Sequence, residues 1–408
     1  MADTGPTGGG ARVLLLSTAD TDLLAARASG AGYRTANPAG LDPADLPGLL
    51  AGVDVAVVRL LGGAQTWPDG LAAVLAAGLP TVVLGGESTP DAQLMRRSTV
   101  PAGTVAQALA YLAAGGPGNL AELVRFLSDT LLFNGTGFAP AVAMQAYGVH
   151  GQPRHDPARP TVGIVFYRAH ELAGNTGFVD ALAAAVERSG GNALPVYCGS
   201  LRAEGVDPGL LALLGDCDAL VVTVLAAGGT VAADASAGGS DDAWDVGALA
   251  ALDIPVLQGL CLTSSRAAWC ASDAAISPID AAMQVAVPEF DGRLITVPFS
   301  FKEADGDGIA VYVADPERCD RVAGIAVRHA ALRAVPVDQR RIALVLSSYP
   351  TKHARIGNAV GLDTPASAVR LLAAMAAAGY QVRDVPDDPD ALIHTLIAAG
   401  GHDVEWLT

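Results

Sequence analysis

The sequence predicts an α/β protein made of tandem open-sheet units, Rossmann- or flavodoxin-like, with mainly parallel strands. Short runs of β-branched residues alternate with alanine- and leucine-rich segments of helical period, and this alternation recurs along most of the 408 residues. Hydrophobic residues make up 51% of the chain and charged residues only 16%, which is typical of a globular protein. These observations together favour helices packed on parallel sheets.

The first predicted unit covers residues 11–132. It follows a glycine-rich, polar stretch, residues 1–10, that we expect to be disordered. β-branched runs predict strands at 12–17, 53–59 and 80–84. Helical periodicity predicts helices at 21–29, 67–77, 104–114 and 119–132. The alternation of the two indicates a parallel sheet.

A second α/β unit is predicted for residues 161–335. Residues 133–160 precede it as a linker or crossing segment, because periodicity is lost there and glycine, proline and histidine accumulate. The expected strands are 161–167, 193–197, 219–225 and 255–258, and the expected helices are 176–189, 208–214, 246–252 and 316–333. We also expect an extended hairpin near 282–301, because Asp291-Gly292 is a hairpin turn signal.

Residues 336–408 predict the start of a third α/β unit. It begins with a strand at 341–349 and continues with a helix at 365–378, with Thr364 as N-cap and Pro365 at the first helical position. No second pair of strands follows, so we expect this unit to be truncated.

Bulk composition argues against several classes of function. A net charge of −17 disfavours nucleic acid and anionic membrane surfaces, which need a cationic field. There is no uninterrupted apolar run of about 18 residues, the length of a membrane helix, and no signal peptide. Five cysteines without a Cys-x-x-Cys spacing argue against a disulfide framework and a structural zinc site. We therefore expect a soluble, cytoplasmic protein.

Two loops share one pattern and carry the candidate site residues. Each follows a predicted strand that ends in tyrosine, and each leads into a helix; Arg168 and His170 lie in the first, Lys352 and Arg355 in the second. Loops at the carboxyl ends of parallel strands bind ligands, and helix N-termini there attract anions. Arginine grips carboxylates with two hydrogen bonds, and histidine can bind metal. This pattern predicts a site for a multiply carboxylated molecule.

A structural interpretation of the same residues stays open. Arg168 and its counterparts could be ordinary solvated loop charges, with His170 a hydrogen-bonded loop histidine. Asn175 or Thr176 is the expected N-cap of the helix after the first loop. Glu289 and Asp291 could form a carboxylate pair for a cation or for acid/base chemistry, although a simple turn is favoured there. The chain has no G-x-G-x-x-G after a strand, no P-loop and no G-x-S-x-G.

Four segments resemble the large, CobN-type subunit of aerobic cobaltochelatase, which is related to the H subunit of magnesium chelatase. They are VGIVFYRAHELAGNT at 162–176, DIPVLQG at 253–259, PIDAAMQVAVPEFDG at 278–292 and GNAVGLDTPAS at 357–367. The PEFDG motif also looks similar in the magnesium branch of the family. Residues 168–170 and 357–365 look like the cobalt branch, and they decide our choice of metal.

The resemblance implies ATP-dependent insertion of Co(II), the substrate metal, into hydrogenobyrinic acid a,c-diamide during cobalamin synthesis. In such enzymes the large subunit holds the corrinoid precursor and the metal, while two AAA+ ATPase partner subunits use Mg-ATP. By hypothesis His170 is a transient metal ligand or base, with Glu289 in second rank. The residues expected to bind the substrate are Arg168, Asn175, Thr176, Lys352, Arg355 and Asn358.

Large subunits of this family are much longer than 408 residues. We therefore expect the chain to be an N-terminal portion that does not insert cobalt by itself. Two alternatives stay open: the large subunit of a magnesium or nickel chelatase that acts on another tetrapyrrole, and a non-enzymatic module that binds a small anion or serves as a scaffold.

Overall fold

The computed structural model describes residues 11–87, 89–201, 206–225, 229–232, 242–304, 308–346 and 361–399. The chain forms two compact units, residues 1–330 and 331–408. The first unit contains a four-stranded and a seven-stranded sheet, both mainly parallel and both covered by helices. The predicted α/β fold class is therefore confirmed.

The smaller sheet has the strand order β2-β1-β3-β4 and is entirely parallel. Its residues and covering helices are β1 (Val13–Ser17), α1 (Asp20–Ala28), β2 (Arg34–Ala36), α2 (Leu46–Leu50), β3 (Val55–Leu60), α3 (Pro68–Ala76), β4 (Thr81–Gly85), α4 (Ala92–Met95), α5 (Ala102–Ala114) and α6 (Pro117–Leu132). Every residue of β1, β3 and β4 is buried, because α1, α5 and α6 cover one face and α2, α3 and α4 the other.

A buried polar network joins the carboxyl ends of these strands. The Arg59 guanidinium lies 2.8 Å from Asp22 Oδ1, and the Ser17 hydroxyl donates to Asp22 Oδ2 at 2.6 Å. Arg59 also donates to the carbonyls of Gly85, Gly86 and Leu112, which belong to the next strand end and to α5. All three side chains of the network are at most 7% exposed. The network therefore lies at the carboxyl ends of β1 and β3, where the strand order of the sheet reverses.

The larger sheet has the strand order β13-β12-β11-β8-β6-β7-β5, with β5 and β13 as antiparallel edge strands. Its elements are β5 (Tyr147–Val149), β6 (Thr161–Tyr167), α7 (Arg168–Ala173), α8 (Gly177–Arg188), β7 (Asn192–Cys198), α9 (Pro208–Gly215), β8 (Ala219–Val222), β9 (Gly229–Ala232), β10 (Asp242–Asp245), α10 (Gly247–Ala250), β11 (Val256–Leu262), α11 (Arg266–Cys270), α12 (Pro278–Asp280), α13 (Val287–Phe290), β12 (Leu294–Ala304), β13 (Ala310–Ala314) and α14 (Pro316–Leu332). Strands β9 and β10 form a separate antiparallel pair.

Residues 133–146 connect the two sheets without regular secondary structure. Side chains of α6 hold this connection: Glu122 accepts from the Ala139 N–H at 2.7 Å, and Asn119 accepts from the Val142 N–H at 2.9 Å. The chain then enters the larger sheet as β5, which pairs with β7. The segment predicted as a linker thus contains an edge strand, while the predicted domain divisions at residues 132 and 160 stay predictions.

Gly174 allows helices of the two sheets to approach closely. It follows α7 in the left-handed conformation, with φ of 65°, and its N–H bonds to the Glu171 carbonyl. A Cβ atom at this position would lie 2.4 Å from the Ala28 Cβ on α1 and 3.2 Å from Pro117 on α6. Helix α7 therefore packs against α1 only because residue 174 has no side chain.

The predicted hairpin near 282–301 is wrong in its first half. Residues 278–290 are helical, with a π-helical stretch at Ala281–Ala286 between α12 and α13. The Ser277 side chain caps the start, and Gly292, with φ of 73°, ends the helix while Arg293 N–H bonds to the Pro288 carbonyl. Asp291-Gly292 is therefore a helix C-terminus, and the hairpin is formed by β12 and β13 instead.

In the described part of the unit of residues 331–408, two α-helices pack on each other, α15 (Thr364–Ala377) and α16 (Pro389–Ala398). Of the predicted strand at 341–349, residues 341–346 form no strand, and the rest lies outside the described residues. A strand needs a neighbour for its hydrogen bonds, and the described part of this unit offers none. The predicted N-cap was also wrong by one residue, because the Asp363 carboxylate accepts from the Ala366 N–H.

We expect Gly174→Ala to lower the free energy of unfolding by about 2 to 4 kcal/mol, because left-handed strain and overpacking against Ala28 add. Urea denaturation measures the loss. The control is Gly177→Ala, where a new Cβ meets no atom within 4 Å, so stability should be unchanged or slightly higher. Equal effects of both substitutions would contradict the close approach.

We expect Asp22→Asn to destabilise the fold by about 3 kcal/mol, because it leaves the buried Arg59 charge without its counter-ion. The matched control is Asp54→Asn, which removes the exposed pair with Arg12 and should cost less than about 1 kcal/mol. Urea denaturation of both variants tests this difference, and similar losses would argue against a buried network.

Candidate functional site

The larger sheet reverses its strand order between β6 and β8. Strand β6 pairs with β7 on one side and with β8 on the other, so the connections after β6 and β8 leave in opposite directions. Ligands of open α/β sheets bind outside the carboxyl ends of the strands at such a point. The Tyr167 hydroxyl, at the end of β6, accepts from the Leu225 N–H at 2.9 Å and so ties the two strand ends together.

The residues after β6 form helix α7 and not the loop that the sequence predicted. Its first residue, Arg168, donates from Nε to the Gln145 carbonyl and from Nη2 to the Met144 carbonyl, each at 2.8 Å. These bonds hold residues 144 and 145, part of the segment that connects the two sheets, against the start of α7. Two of the three guanidinium nitrogens of Arg168 therefore serve the fold.

His170 lies in an aromatic environment on the same helix. Its ring meets Phe178 and Tyr312 nearly edge to face, at centroid distances of 5.2 and 5.4 Å, and Tyr167 lies 6.5 Å away. Burial lowers the pKa of His170 from 6.5 to about 4, because the charged form loses its hydration. At neutral pH the imidazole is uncharged, the state in which it can bind a metal ion, while a pKa of about 4 makes it a weak base.

Asn175 and Thr176 form the turn between α7 and α8. Asn175 Oδ1 accepts from the Tyr312 N–H at 3.2 Å, which links the turn to β13. Thr176 occupies the N-cap position of α8 but makes no side-chain cap bond, and its hydroxyl donates to Asp180 Oδ2 at 3.4 Å. Arg168 and His170 thus lie on α7, and Asn175 and Thr176 lie in the turn that follows it, all of them after the carboxyl end of β6.

The other predicted site residues are not part of this cluster in the described structure. Glu289 lies on α13 with an exposed side chain, and none of the hydrogen bonds between described residues joins it to α7. Lys352, Arg355 and Asn358 lie outside the described residues. Their expected place beside Arg168 stays a prediction.

His150 is a site residue that sequence reasoning missed. It follows β5, and its imidazole lies between two carboxylates: Nδ1 is 2.7 Å from Glu171 Oε2, and Nε2 is 3.0 Å from Asp180 Oδ1. The close contact with Glu171, assisted by Asp180 and opposed by burial, raises the pKa of His150 from 6.5 to about 9. His150 is therefore charged at neutral pH, in contrast to His170.

Two cavities border this turn. One has a volume of about 700 Å³ and is lined by His150, Glu171 and Thr176 together with the start of α6. The other, of about 410 Å³, is lined by Arg168 and Ser200. Residues of α7 thus line two cavities, and Met144 of the connecting segment lines both.

Arg293 holds the residues that follow β8, on the other side of the point of reversal from β7. Its guanidinium is buried and donates to the carbonyls of Val224 and Leu225, at the end of β8, at 2.6 Å each. Asp291 and Gln258 accept from it as well, at 2.8 and 2.7 Å. Arg293 is the last residue of the PEFDGR sequence. Because Asp291-Gly292 was interpreted as a hairpin turn, the sequence did not indicate a role for this arginine.

The described ranges contain no group of three or more histidine, cysteine, aspartate or glutamate side chains that could hold a metal ion. Within the same ranges no helix is long and apolar enough to cross a membrane.

Comparison with known proteins gives consistent matches. The family model CobN/Magnesium Chelatase matches residues 109–408. Aerobic cobaltochelatase subunit CobN of Pseudomonas aeruginosa is 32% identical over 374 residues, and that of a Sinorhizobium species is 36% identical over 387 residues. Each match covers 86% of this chain and 29% of the relative, so the chain spans less than a third of the length of these relatives.

A solved structure agrees with the sequence matches. The catalytic subunit of cobaltochelatase from Mycobacterium tuberculosis is 58% identical, with a TM-score of 0.89 over 96% of this chain and 33% of that chain. The family match covers more than half of the chain, and the fold is shared with a solved relative. The chain belongs to the CobN/magnesium chelatase family.

Proposed function

We propose that the chain is part of the tetrapyrrole-binding large subunit of an ATP-dependent cobaltochelatase. The subunit would take part in inserting Co(II) into hydrogenobyrinic acid a,c-diamide during cobalamin biosynthesis in the cytoplasm. The observation that carries this proposal is the 58% identity to a cobaltochelatase catalytic subunit with the same fold. Because the chain spans about a third of that subunit, we propose that it is inactive alone.

The choice of cobalt rests on the names of the relatives and on two motifs. The two CobN relatives and the solved relative are cobaltochelatase subunits by name. The motif at residues 168–170 lies on α7, at the sheet edge, and is one of those that resemble the cobalt branch. A magnesium or nickel chelatase stays the alternative, since the family includes the magnesium enzymes.

We assign roles at the sheet edge from the described contacts. Arg168 uses Nε and Nη2 for backbone carbonyls, which leaves Nη1 for a peripheral carboxylate or amide of the precursor. Neutral His170 would act as base or transient metal ligand as the inner ring protons leave. Asn175 and Thr176 would hydrogen-bond amide groups.

The remaining roles rest on the resemblance. Lys352 and Arg355 would hold carboxylates, Asn358 would hydrogen-bond an amide, and Glu289 would be a second-rank ligand or base. The ATPase work belongs to AAA+ partner subunits that use Mg-ATP, which fits a chain without a P-loop. The net charge of −17 supports partners other than nucleic acid or anionic membranes.

Binding experiments test the substrate class directly. The purified chain is titrated with hydrogenobyrinic acid a,c-diamide and, separately, with protoporphyrin IX, and quenching of its tryptophan fluorescence is followed. We expect saturable and tighter binding of the corrinoid precursor. Tighter binding of the porphyrin would overturn the choice of substrate in favour of the magnesium branch.

We expect Arg168→Ala and His170→Ala each to lower affinity for the precursor about tenfold, since a hydrogen bond to a charged group contributes about 1.5 to 3 kcal/mol. The matched control is Arg188→Ala, which removes an exposed arginine paired with Asp320 at the far end of α8. Unchanged affinity in both site variants, with unchanged chelation in the full complex, would return these residues to purely structural roles.

We expect His170 to titrate near pH 4 in an NMR pH series, with its signal assigned from a His170→Gln variant. Because the folded pKa lies below the ordinary 6.5, this residue contributes stability above about pH 6.5. The contribution is lost as pH falls towards 4, and the variant should lack it. A measured pKa near 6.5 would contradict the buried, neutral imidazole.

A further inference from the structure

Residues 144–150, which lead into the larger sheet, contact helix α7 at two points. Near the start of α7, Arg168 donates to the carbonyls of Met144 and Gln145. One turn later on α7, Glu171 meets His150, the residue that follows β5. Residues 144–150 and α7 are therefore joined by both backbone and side-chain contacts.

Helix α7 needs such external contacts. It has six residues, and an isolated helix shorter than about 12 residues is not stable in water. Packing against α1 at Gly174 restrains one side of it. The contact between His150 and Glu171 is a second restraint, and both residues line the cavity of about 700 Å³.

His150 is itself held firmly by the sheet. Its N–H donates to the Pro195 carbonyl at 2.9 Å, which continues the pairing of β5 with β7. Its ring lies edge to face on Phe166 of β6, at a centroid distance of 5.9 Å. The side chain thus projects from a fixed backbone towards α7 and α8.

Among the described residues, the two charged groups that pair with His150 are both acidic. Glu171 comes from α7, and Asp180 comes from the first turn of α8. The two neighbouring strands, β6 and β7, present the rings of Phe166 and Tyr197. A positive imidazolium therefore contacts one carboxylate from each of two successive helices.

We propose that His150 is a positioning residue for the site on α7: its imidazolium, bound to Glu171 and Asp180, fixes α7 against α8 and thereby places Arg168 and His170. This inference rests on the proposed function, because the ligand positioned there is the corrinoid precursor. His150 does not touch the substrate in this role. It acts through the helix that carries the binding side chains.

The pH dependence follows from the charge. His150 keeps its proton at neutral pH and loses it as pH rises through about 9. Because the folded pKa is raised, the stabilisation is complete below about pH 6.5 and is lost towards higher pH. Affinity for the precursor follows the protonated fraction of His150 in the folded protein. It should therefore be constant near pH 7 and fall as pH rises through about 9.

The test compares three variants by quenching of tryptophan fluorescence with hydrogenobyrinic acid a,c-diamide. His150→Asn should lower affinity about tenfold at pH 7.5 and lose the fall above pH 9. His150→Lys, which keeps a cation, should restore part of the affinity. The control His155→Asn changes an exposed histidine of the same segment, which lies near Asn192, and should match the wild type.

A second measurement is independent of the ligand. Amide hydrogen exchange of residues 168–176 at pH 7.5 should be faster in His150→Asn than in the wild type, while circular dichroism confirms that the variant is folded. If the wild type binds the precursor and His150→Asn binds it with the same affinity, the positioning role is overturned and the proposed function is not. If the wild type does not bind the precursor, the proposed function is overturned. In that case, equal hydrogen exchange of residues 168–176 in His150→Asn and in the wild type would also overturn the positioning role.

Discussion

The close approach of α7 to α1 at Gly174 is the constraint on which the site depends. Strand β6 ends at Tyr167, and the chain must turn at once into a short helix, reverse at Gly174 and start α8 at Gly177. Only a residue without a side chain fits between α7 and the helices of the smaller sheet. The position of Arg168 and His170 is therefore set by packing between two sheets as well as by the strand that precedes them.

The sequence was sufficient for the fold class because the strands are buried on both faces. Continuous apolar runs such as 161–167 read as strands without ambiguity, and the alternation with helices implied parallel sheets. It failed at residues 278–290, where the start depends on a Ser277 cap and the end on a left-handed Gly292. A dipeptide turn signal cannot distinguish a hairpin from a helix C-terminus, since both need a positive φ at glycine.

The candidate site was predicted in part for a similar reason. A strand-end rule located α7, because that rule needs only the order of strands and loops along the chain. His150 was missed since its partners are 21 and 30 positions away and become neighbours only through the pairing of β5 with β7. The role of Arg168 also changed, because backbone carbonyls at 144 and 145 accept from it, and no charge pattern in the sequence reports such contacts.

The two sheets of the first unit share the strand order 2-1-3-4 in their parallel cores, and buried side chains fill the point of reversal in each. In the smaller sheet Arg59, Asp22 and Ser17 occupy that point, and a guest molecule would have to displace an ion pair that is shielded from water. In the larger sheet cavities border the corresponding helix. Both sheets thus carry a buried arginine–aspartate pair near the carboxyl ends of their strands, Arg59 with Asp22 and Arg293 with Asp291, which makes both strand ends rigid. The larger sheet differs in the cavities that border α7 beside β5 and β7, so space for a ligand lies next to its point of reversal and not in it.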